Sequence, residues 1–195
     1  LDRYVYEQVL KMIGERIREG RPIVPVSVNI SRVTLQKPDF IDFYVGLKNK
    51  YKINDDCLTL EITESVAYDN YESMAVIVER LQRNGFLCSI DDFGTGYSSY
   101  RLLKTLQMDE IKLDGSLLRA GLSPDRDRAV LKHIVSLTKS LRMKIVQEGV
   151  ETPGQVEMLR DLSFDVIQGY FYAKPLSPTD YCVFLDSHEE EILVP

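Results

Sequence analysis

Short apolar runs alternate with amphipathic segments of helical length along the whole chain. The runs rich in β-branched residues predict strands at Val24 to Ile30, Leu58 to Ile62, Leu87 to Ile90, Glu110 to Leu113, Lys144 to Val146 and Asp165 to Ile167. The amphipathic segments predict helices at Pro38 to Lys50, Asn70 to Asn84, Tyr97 to Thr105, Asp125 to Leu141 and Thr152 to Leu162. Because this alternation is typical of parallel β/α units, the sequence predicts an α/β fold.

The composition predicts one soluble globular domain over residues 1–195, with 44% hydrophobic and 28% charged residues. No apolar run approaches the roughly 18 residues of a membrane span, so no membrane contact is expected within this segment. The first 20 residues carry charges throughout and do not resemble a signal peptide. Their apolar residues Val5, Val9, Leu10, Ile13 and Ile17 stand at helical spacing. Cys57, Cys88 and Cys182 form no Cys-x-x-Cys pair and predict reduced thiols in a cytoplasmic protein. The acidic segment from Ser187 to Pro195 predicts a solvated tail.

The net charge of −6 argues against a DNA, RNA or membrane-surface partner, since such binding depends on clustered Lys and Arg. The two histidines, His133 and His188, lie far apart in the sequence and exclude a histidine-rich zinc site. Any metal site must therefore consist mainly of oxygen donors, which favours Mg²⁺ or Mn²⁺.

Two adjacent acids, Asp91 and Asp92, follow an apolar run and precede a glycine-spaced polar turn. Since a strand sends alternate side chains to opposite faces, neighbouring acids converge only where the strand ends and the backbone turns. Gly94 and Gly96 permit such a turn. The alternative interpretation is a solvated loop in which Asp92 or Ser98 caps a helix.

Polar or ionisable residues also occur at or near the ends of the other five predicted strands. They are Asn29, Glu61, Glu64, Lys112, Glu148 and Gln168. Each of them alone could be an exposed or turn residue. In a parallel β/α barrel, however, all strand C-termini open on one face, so together they predict a shared site.

The ordered motifs of the chain resemble those of the EAL-domain family, bacterial phosphodiesterases of the second messenger cyclic di-GMP. The matching segments are Ser27 to Ser31, Glu61 to Ser65, Asp91 to Ser99, Ile111 to Asp114, Glu148 to Thr152, Gln168 to Tyr170 and Lys174 to Leu176. The resemblance implies a TIM-type (β/α)8 barrel. It also implies that two Mg²⁺ or Mn²⁺ ions activate a water that opens cyclic di-GMP to linear pGpG.

The resemblance further implies a role for each candidate residue. One metal would be held by Asn29, Glu61 and Asp91, and the other by Asp91, Asp92 and Glu148. Of the remaining catalytic residues, Lys112 would touch the attacking water or the phosphate, and Gln168 would orient the site. Glu64 and Glu151 would support the ligands from behind, with Glu64 steadying the loop after the acid pair.

One departure concerns the Glu-Ala-Leu motif itself, which does not occur in these 195 residues. We expect this motif to precede Leu1, so that the chain is part of a longer protein and contains about six β/α units without the first strands. The barrel would then be incomplete, and activity of this segment alone impaired. Exposed sheet edges tend to recruit another chain, so a homodimer is predicted through these edges or through the helix Tyr97 to Thr105.

A second hypothesis is a cyclic di-GMP receptor that binds without hydrolysis. Receptors in this family usually lack metal ligands or the loop after the acid pair, whereas this chain retains both sets of residues. Replacing Asp91 by Asn distinguishes the hypotheses, because an enzyme loses turnover and a metal-independent receptor keeps its affinity.

Overall fold

A computed structural model describes residues 1–55, 57–69, 71–95, 100–118 and 124–188. The strands are β1 (Val26–Asn29), β2 (Leu58–Thr63), β3 (Leu87–Phe93), β4 (Glu110–Leu113), β5 (Lys144–Gln147) and β6 (Val166–Ile167). The helices are α1 (Asp2–Arg18), α2 (Arg32–Leu35), α3 (Phe40–Tyr51), α4 (Glu64–Asp69), α5 (Tyr71–Arg83), α6 (Tyr100–Thr105), α7 (Pro124–Ser140), α8 (Pro153–Asp161) and α9 (Pro178–Ser187). A 3₁₀ turn spans Gly115–Leu118.

The strands follow one another in the sheet in chain order, from β1 to β6. The pairs β1–β2, β3–β4, β4–β5 and β5–β6 are parallel. Parallel neighbours require a crossover between them, and helices occupy these connections. The predicted α/β class is confirmed.

All six predicted strands are found, and the largest difference in their bounds concerns β3. We predicted that this strand ends at Ile90, but it continues to Phe93, so Asp91 and Asp92 lie inside it. Helices α2, α4 and α9 were not predicted. Helices α2 and α4 contain four and six residues, too few to show a helical period. Glu64, expected at a strand end, is the first residue of α4.

Several predicted features lie partly outside the described residues. They are Gly96 to Ser99 of the glycine-spaced turn, the first three residues of the helix predicted from Tyr97, Asn70 at the start of another predicted helix, and residues 189–195 of the acidic tail. Among the helices in the described ranges, none combines the length and the apolar character needed to cross a membrane.

The chain divides into two compact units, of which the first comprises Leu1–Glu61, Arg80–Leu87 and Pro175–Pro195. In its core, the rings of Tyr6 and Tyr44 stack with centroids 4.2 Å apart, and the Tyr6 hydroxyl donates to the Tyr44 carbonyl at 3.0 Å. The buried Lys48 ammonium pairs with Asp55 and donates to the carbonyls of Asn84 and Gly85. These contacts tie α1 and the end of α5 to α3.

The second unit comprises Ile62–Glu79 and Cys88–Lys174. Its strands β3, β4 and β5 are buried with little alternation, as expected of parallel strands. Helix α8 begins with a capping box, in which Thr152 and Gln155 satisfy each other's backbone N–H groups. Val156 and Leu159 of α8 pack with Val150 in a buried cluster, which anchors the segment that follows Glu148.

Candidate metal centre

A β-bulge in β3 brings the two adjacent acids toward one point. The pairing of β3 with β4 shifts register between Ile90 and Phe93, and Asp92 within this interval has a φ of 57°. A regular strand would send Asp91 and Asp92 to opposite faces, and the bulge removes this alternation. The convergence that we predicted from a turn at Gly94 and Gly96 therefore occurs earlier, inside the strand. Gly94 does adopt the left-handed region, with a φ of 102°.

Three acids form a cluster that could hold a metal ion. Carboxylate oxygens of Asp91, Asp92 and Glu148 all lie within 4.8 Å of one another. Asp91 is buried, Glu148 is half-buried and Asp92 is exposed, so the cluster is open to solvent on one side. Hard divalent cations prefer several carboxylate oxygens with room for water, so these residues fit Mg²⁺ or Mn²⁺.

Lys112 supplies the positive charge next to this cluster. Its Nζ lies 2.6 Å from Glu148 Oε1 and 3.4 Å from Asp91 Oδ1, and only 7% of its side chain is exposed. Although Asp92 is exposed as a whole, partial desolvation of its carboxyl group raises the pKa of Asp92, and the negative charges of Asp91 and Asp114 add to this rise, while Lys112 opposes it. Three carboxylates facing one ammonium leave excess negative charge, which favours a bound cation.

The loop that follows the acid pair is held by Glu64. Its Oε2 accepts a hydrogen bond from the Gly94 backbone N–H at 3.2 Å, and Glu64 is buried. A Cβ on Gly94 would lie 2.9 Å from Leu117 Cδ1, a side-chain end that can move, but the φ of 102° would strain any residue other than glycine. The loop-steadying role of Glu64 stays a prediction.

A cavity of about 490 Å³ in the second unit is shared by several candidate residues. Glu148, Glu151, Gln168 and Tyr170 line it, together with Asp114 and the glycines that follow β4, β5 and β6. A Cβ on Gly149 would lie 2.9 Å from the Gly115 Cα, so the two loops touch through their backbones. The volume lies within the range of pockets that bind small molecules.

Asn29 and Glu61 belong to the first unit, where they are register partners on β1 and β2. The Glu61 carbonyl accepts the Ile30 N–H at 2.9 Å, and Glu61 is 4% exposed. Asn29 is exposed. Asn29 is the last residue of β1, whereas Glu61 lies inside β2, two residues before its end. Their metal-binding roles stay predictions.

Sequence reasoning gave no role to Asp114, Gln147 or Gln155. Asp114 lines the cavity and accepts the Ser116 N–H at 2.9 Å, and Gln155 accepts the Glu151 N–H at 2.8 Å. Asp114 follows Lys112 by two residues at a strand end, a spacing that could have indicated the same face. Gln147 is a polar residue between the apolar Ile145 and Val146 and the acidic Glu148. A polar residue at the end of an apolar strand could have indicated a role near the site.

These observations are those expected of a parallel β/α domain with an acidic metal centre at its strand ends. The family model described as the EAL domain matches residues 1–175. The chain belongs to the EAL domain family, and the predicted TIM-type fold class of that family is confirmed.

Known proteins similar to this chain support the assignment. The chain is 37% identical over 149 residues to the "Probable cyclic di-GMP phosphodiesterase PdeA" of Escherichia coli, an alignment that covers 76% of this chain and 20% of PdeA. The EAL domain of Mycobacterium smegmatis DcpA has a TM-score of 0.88 at 28% identity, over 100% of this chain and 86% of the DcpA chain. The PaMucR phosphodiesterase, solved as a c-di-GMP complex, has a TM-score of 0.84 at 31% identity, over 92% of this chain and 72% of that one. The match thus spans about a fifth of the length of the curated relative.

Proposed function

We propose that this domain hydrolyses cyclic di-GMP to linear pGpG with the help of divalent cations, Mg²⁺ or Mn²⁺. The observation that carries the proposal is the cluster of Asp91, Asp92 and Glu148 next to the Lys112 ammonium. The named function of the EAL relatives and the cyclic di-GMP complex of PaMucR support the choice of substrate.

The proposed ligands follow the chain's own oxygen donors. Asp91, Asp92 and Glu148 would hold one cation, and Asn29 and Glu61 would supply oxygen donors for a second. When bound, the cations lower the pKa of a water and neutralise charge on the phosphate in the transition state. The protein supplies fixed carboxylates. The bulge at Asp92 lets Asp91 and Asp92 reach the same site although they are neighbours on one strand.

Lys112 acts on the same centre through its positive charge. Its ammonium lies between Glu148 and Asp91 and is largely shielded from water, which strengthens its electrostatic interactions. We assign to it hydrogen bonds to the attacking water or to a phosphate oxygen. A hydrogen-bond donor that already faces the oxygen on which negative charge develops contributes to catalysis, because it does not have to reorient during the reaction.

The cavity beside Glu148 holds the remainder of the substrate in this proposal. The exposed side chains of Gln168 and Glu151 line it and offer polar contacts, and Tyr170 adds an aromatic face. Gly115 and Gly149 approach each other closely and line the cavity with backbone atoms, so a larger residue at either position would fill part of the cavity.

Direct separation of pGpG from cyclic di-GMP by chromatography tests the proposal, with Mg²⁺ and Mn²⁺ supplied in parallel. We expect turnover with either cation, none with EDTA, and a loss of turnover by orders of magnitude in Asp91→Asn. Glu157→Gln, which removes an exposed acid on α8, is the matched control and should keep full activity. Binding of cyclic di-GMP that persists in EDTA and in Asp91→Asn, without pGpG formation, would instead establish a receptor.

We also propose that the domain forms a homodimer through the helix predicted from Tyr97 to Thr105. In the part of this helix that the structure describes, Leu102 and Leu103 are buried, while Arg101 and Lys104 are exposed. Sedimentation equilibrium of the wild type and of Arg101→Glu tests this surface. The proposal is supported if the wild type is a dimer and Arg101→Glu weakens the association. It is contradicted if the wild type is a monomer at all concentrations.

A further inference from the structure

Gln147, the last residue of β5, is a fully buried amide next to the metal centre. Its Nε2 faces three backbone carbonyls, those of Glu148 at 3.0 Å, Leu113 at 3.2 Å and Asp114 at 3.3 Å. Two of these carbonyls belong to the end of β4 and the residue after it. A single amide group therefore connects the end of β4, which carries Lys112, with the end of β5, which Glu148 follows.

The three carbonyls also determine which way the Gln147 amide points. Exchanging the amide oxygen and nitrogen would place an oxygen against three carbonyl oxygens, which is unfavourable. Within the described residues, no donor reaches the Oε1 atom of Gln147. A buried oxygen without a donor costs free energy, so this side chain is not the most stable choice for packing alone.

The Glu148 peptide is held on both sides by this arrangement. Its N–H donates to the Leu113 carbonyl at 3.0 Å, and its own carbonyl accepts from the Gln147 amide. The carboxylate of Glu148 then lies 2.6 Å from the Lys112 ammonium and within the acidic cluster. Any rotation of this peptide would move one of the three carboxylates that converge on the cation.

We propose that Gln147 is a positioning residue that fixes the Glu148 peptide against the end of β4 and so sets the affinity of the acidic cluster for its cation. The inference depends on the proposed metal-dependent function. Groups that orient metal ligands in this way typically change metal affinity or activity 10- to 100-fold when they are removed.

Gln147→Met tests the proposal because methionine has a similar length and no hydrogen-bond donor. The variant should fold, since the carbonyls of Leu113 and Asp114 also accept the N–H groups of Glu148 and Leu117. The matched control is Thr138→Val, which removes a buried side-chain hydrogen bond to the Ile134 carbonyl on α7. Gln147→Leu provides a second variant without the donor.

The measurements are Mn²⁺ affinity by electron paramagnetic resonance, the thermal midpoint without metal, and kcat and KM for cyclic di-GMP at saturating Mn²⁺. We expect Gln147→Met to weaken Mn²⁺ binding by about 10-fold, with a thermal midpoint close to that of Thr138→Val. Its kcat should fall while KM stays near the wild-type value, because the displaced Glu148 acts on the cation, and Glu151, Gln168 and Tyr170 still line the cavity.

The inference is overturned if both Gln147 variants bind Mn²⁺ as tightly as Thr138→Val does. It is also overturned if the loss of affinity only follows a loss of folded protein, as the metal-free thermal midpoints would reveal. A wild-type chain that binds no Mn²⁺ contradicts the proposed function itself, and the inference is then rejected with it. The behaviour of the wild type therefore separates the two failures.

Discussion

The Lys112 ammonium on β4 and the carboxylate of Glu148, the residue directly after β5, form an ion pair of 2.6 Å. Only 7% of the Lys112 side chain is exposed, so its ammonium is largely withdrawn from water, and Asp91 adds a second carboxylate 3.4 Å from the same nitrogen. A buried pair of this kind contributes little net stability, but the loss of one partner leaves uncompensated charge. Lys112 thus neutralises part of the negative charge of the acidic cluster.

The first prediction concerns the loss of this ammonium. Lys112→Met should lower the metal-free unfolding free energy by about 3 kcal/mol, because Glu148 and Asp91 lose their shared counter-charge. Mn²⁺ should restore more stability to the variant than to the wild type, while turnover falls by about 100-fold or more. Urea denaturation with and without Mn²⁺ measures the first effect, and pGpG formation the second.

Lys132→Met, an exposed lysine on α7, is the control for this variant. Lys132→Met should change neither the unfolding free energy nor the turnover. If Lys112→Met retained wild-type turnover, Lys112 would have no part in the reaction.

The second prediction separates the backbone role of Asp92 from its role as a ligand. At a φ of 57°, Asn is tolerated and Ala is strained, so Asp92→Ala should be about 1 kcal/mol less stable than Asp92→Asn. Both variants should bind Mn²⁺ more weakly than the wild type, since each removes a carboxylate. Chemical denaturation and Mn²⁺ titration check the two effects. Equal stability of the two variants would contradict the strained conformation assigned to Asp92.

The fold was largely predictable because parallel β/α units leave a strong pattern in the sequence. The strands β4 and β5 are buried runs whose predicted and observed bounds agree within one residue. Helices α2 and α4 were missed because they contain fewer than two turns and have no measurable period. The six-residue helix α4 places Glu64 on a helix, where a strand end was expected.

The candidate site was predictable in its residue types but not in its geometry. Adjacent acids and strand-end polar residues indicated a shared metal centre, and the cluster of Asp91, Asp92 and Glu148 follows that pattern. The bulge that lets Asp91 and Asp92 converge depends on pairing with β4, which is a tertiary contact that no local pattern records. Two of the three hydrogen bonds of Gln147 likewise depend on carbonyls 33 and 34 residues earlier in the chain.

The third prediction concerns the reactivity of the three thiols. Burial, with a smaller contribution from the Asp109 charge, raises the pKa of Cys88 to about 12, while Cys57 and Cys182 are only half-buried. Because the thiolate is the reactive form, iodoacetamide should modify Cys88 at least about 100-fold more slowly than the other two in the native protein. Mass spectrometry of a labelling time course measures the rates, and labelling in urea should equalise them. Rapid native labelling of Cys88 would show that β3 opens readily.

The last prediction concerns acid stability in the first unit. The Asp2 carboxylate at the start of α1 accepts hydrogen bonds from the Ser31 N–H at 2.8 Å, the Ser31 hydroxyl at 2.6 Å and the Thr34 hydroxyl at 2.7 Å. Burial alone would raise the pKa of Asp2, but these hydrogen bonds outweigh it and hold the pKa at about 2, below the ordinary value of 3.8. A lowered folded-state pKa stabilises the protein above pH 3.8, and this stabilisation is lost as the pH falls toward 2.

Asp2→Asn should therefore lower the unfolding free energy at pH 7 by about 1 kcal/mol, since partial exposure screens the interaction. The difference from the wild type should shrink steadily below pH 4 in urea denaturation curves recorded at a series of pH values. Asp42→Asn, which removes an exposed acid on α3, controls for the loss of one negative charge and should show no such trend. Parallel pH profiles for Asp2→Asn and the wild type would mean that the Ser31 and Thr34 hydrogen bonds do not favour the charged carboxylate.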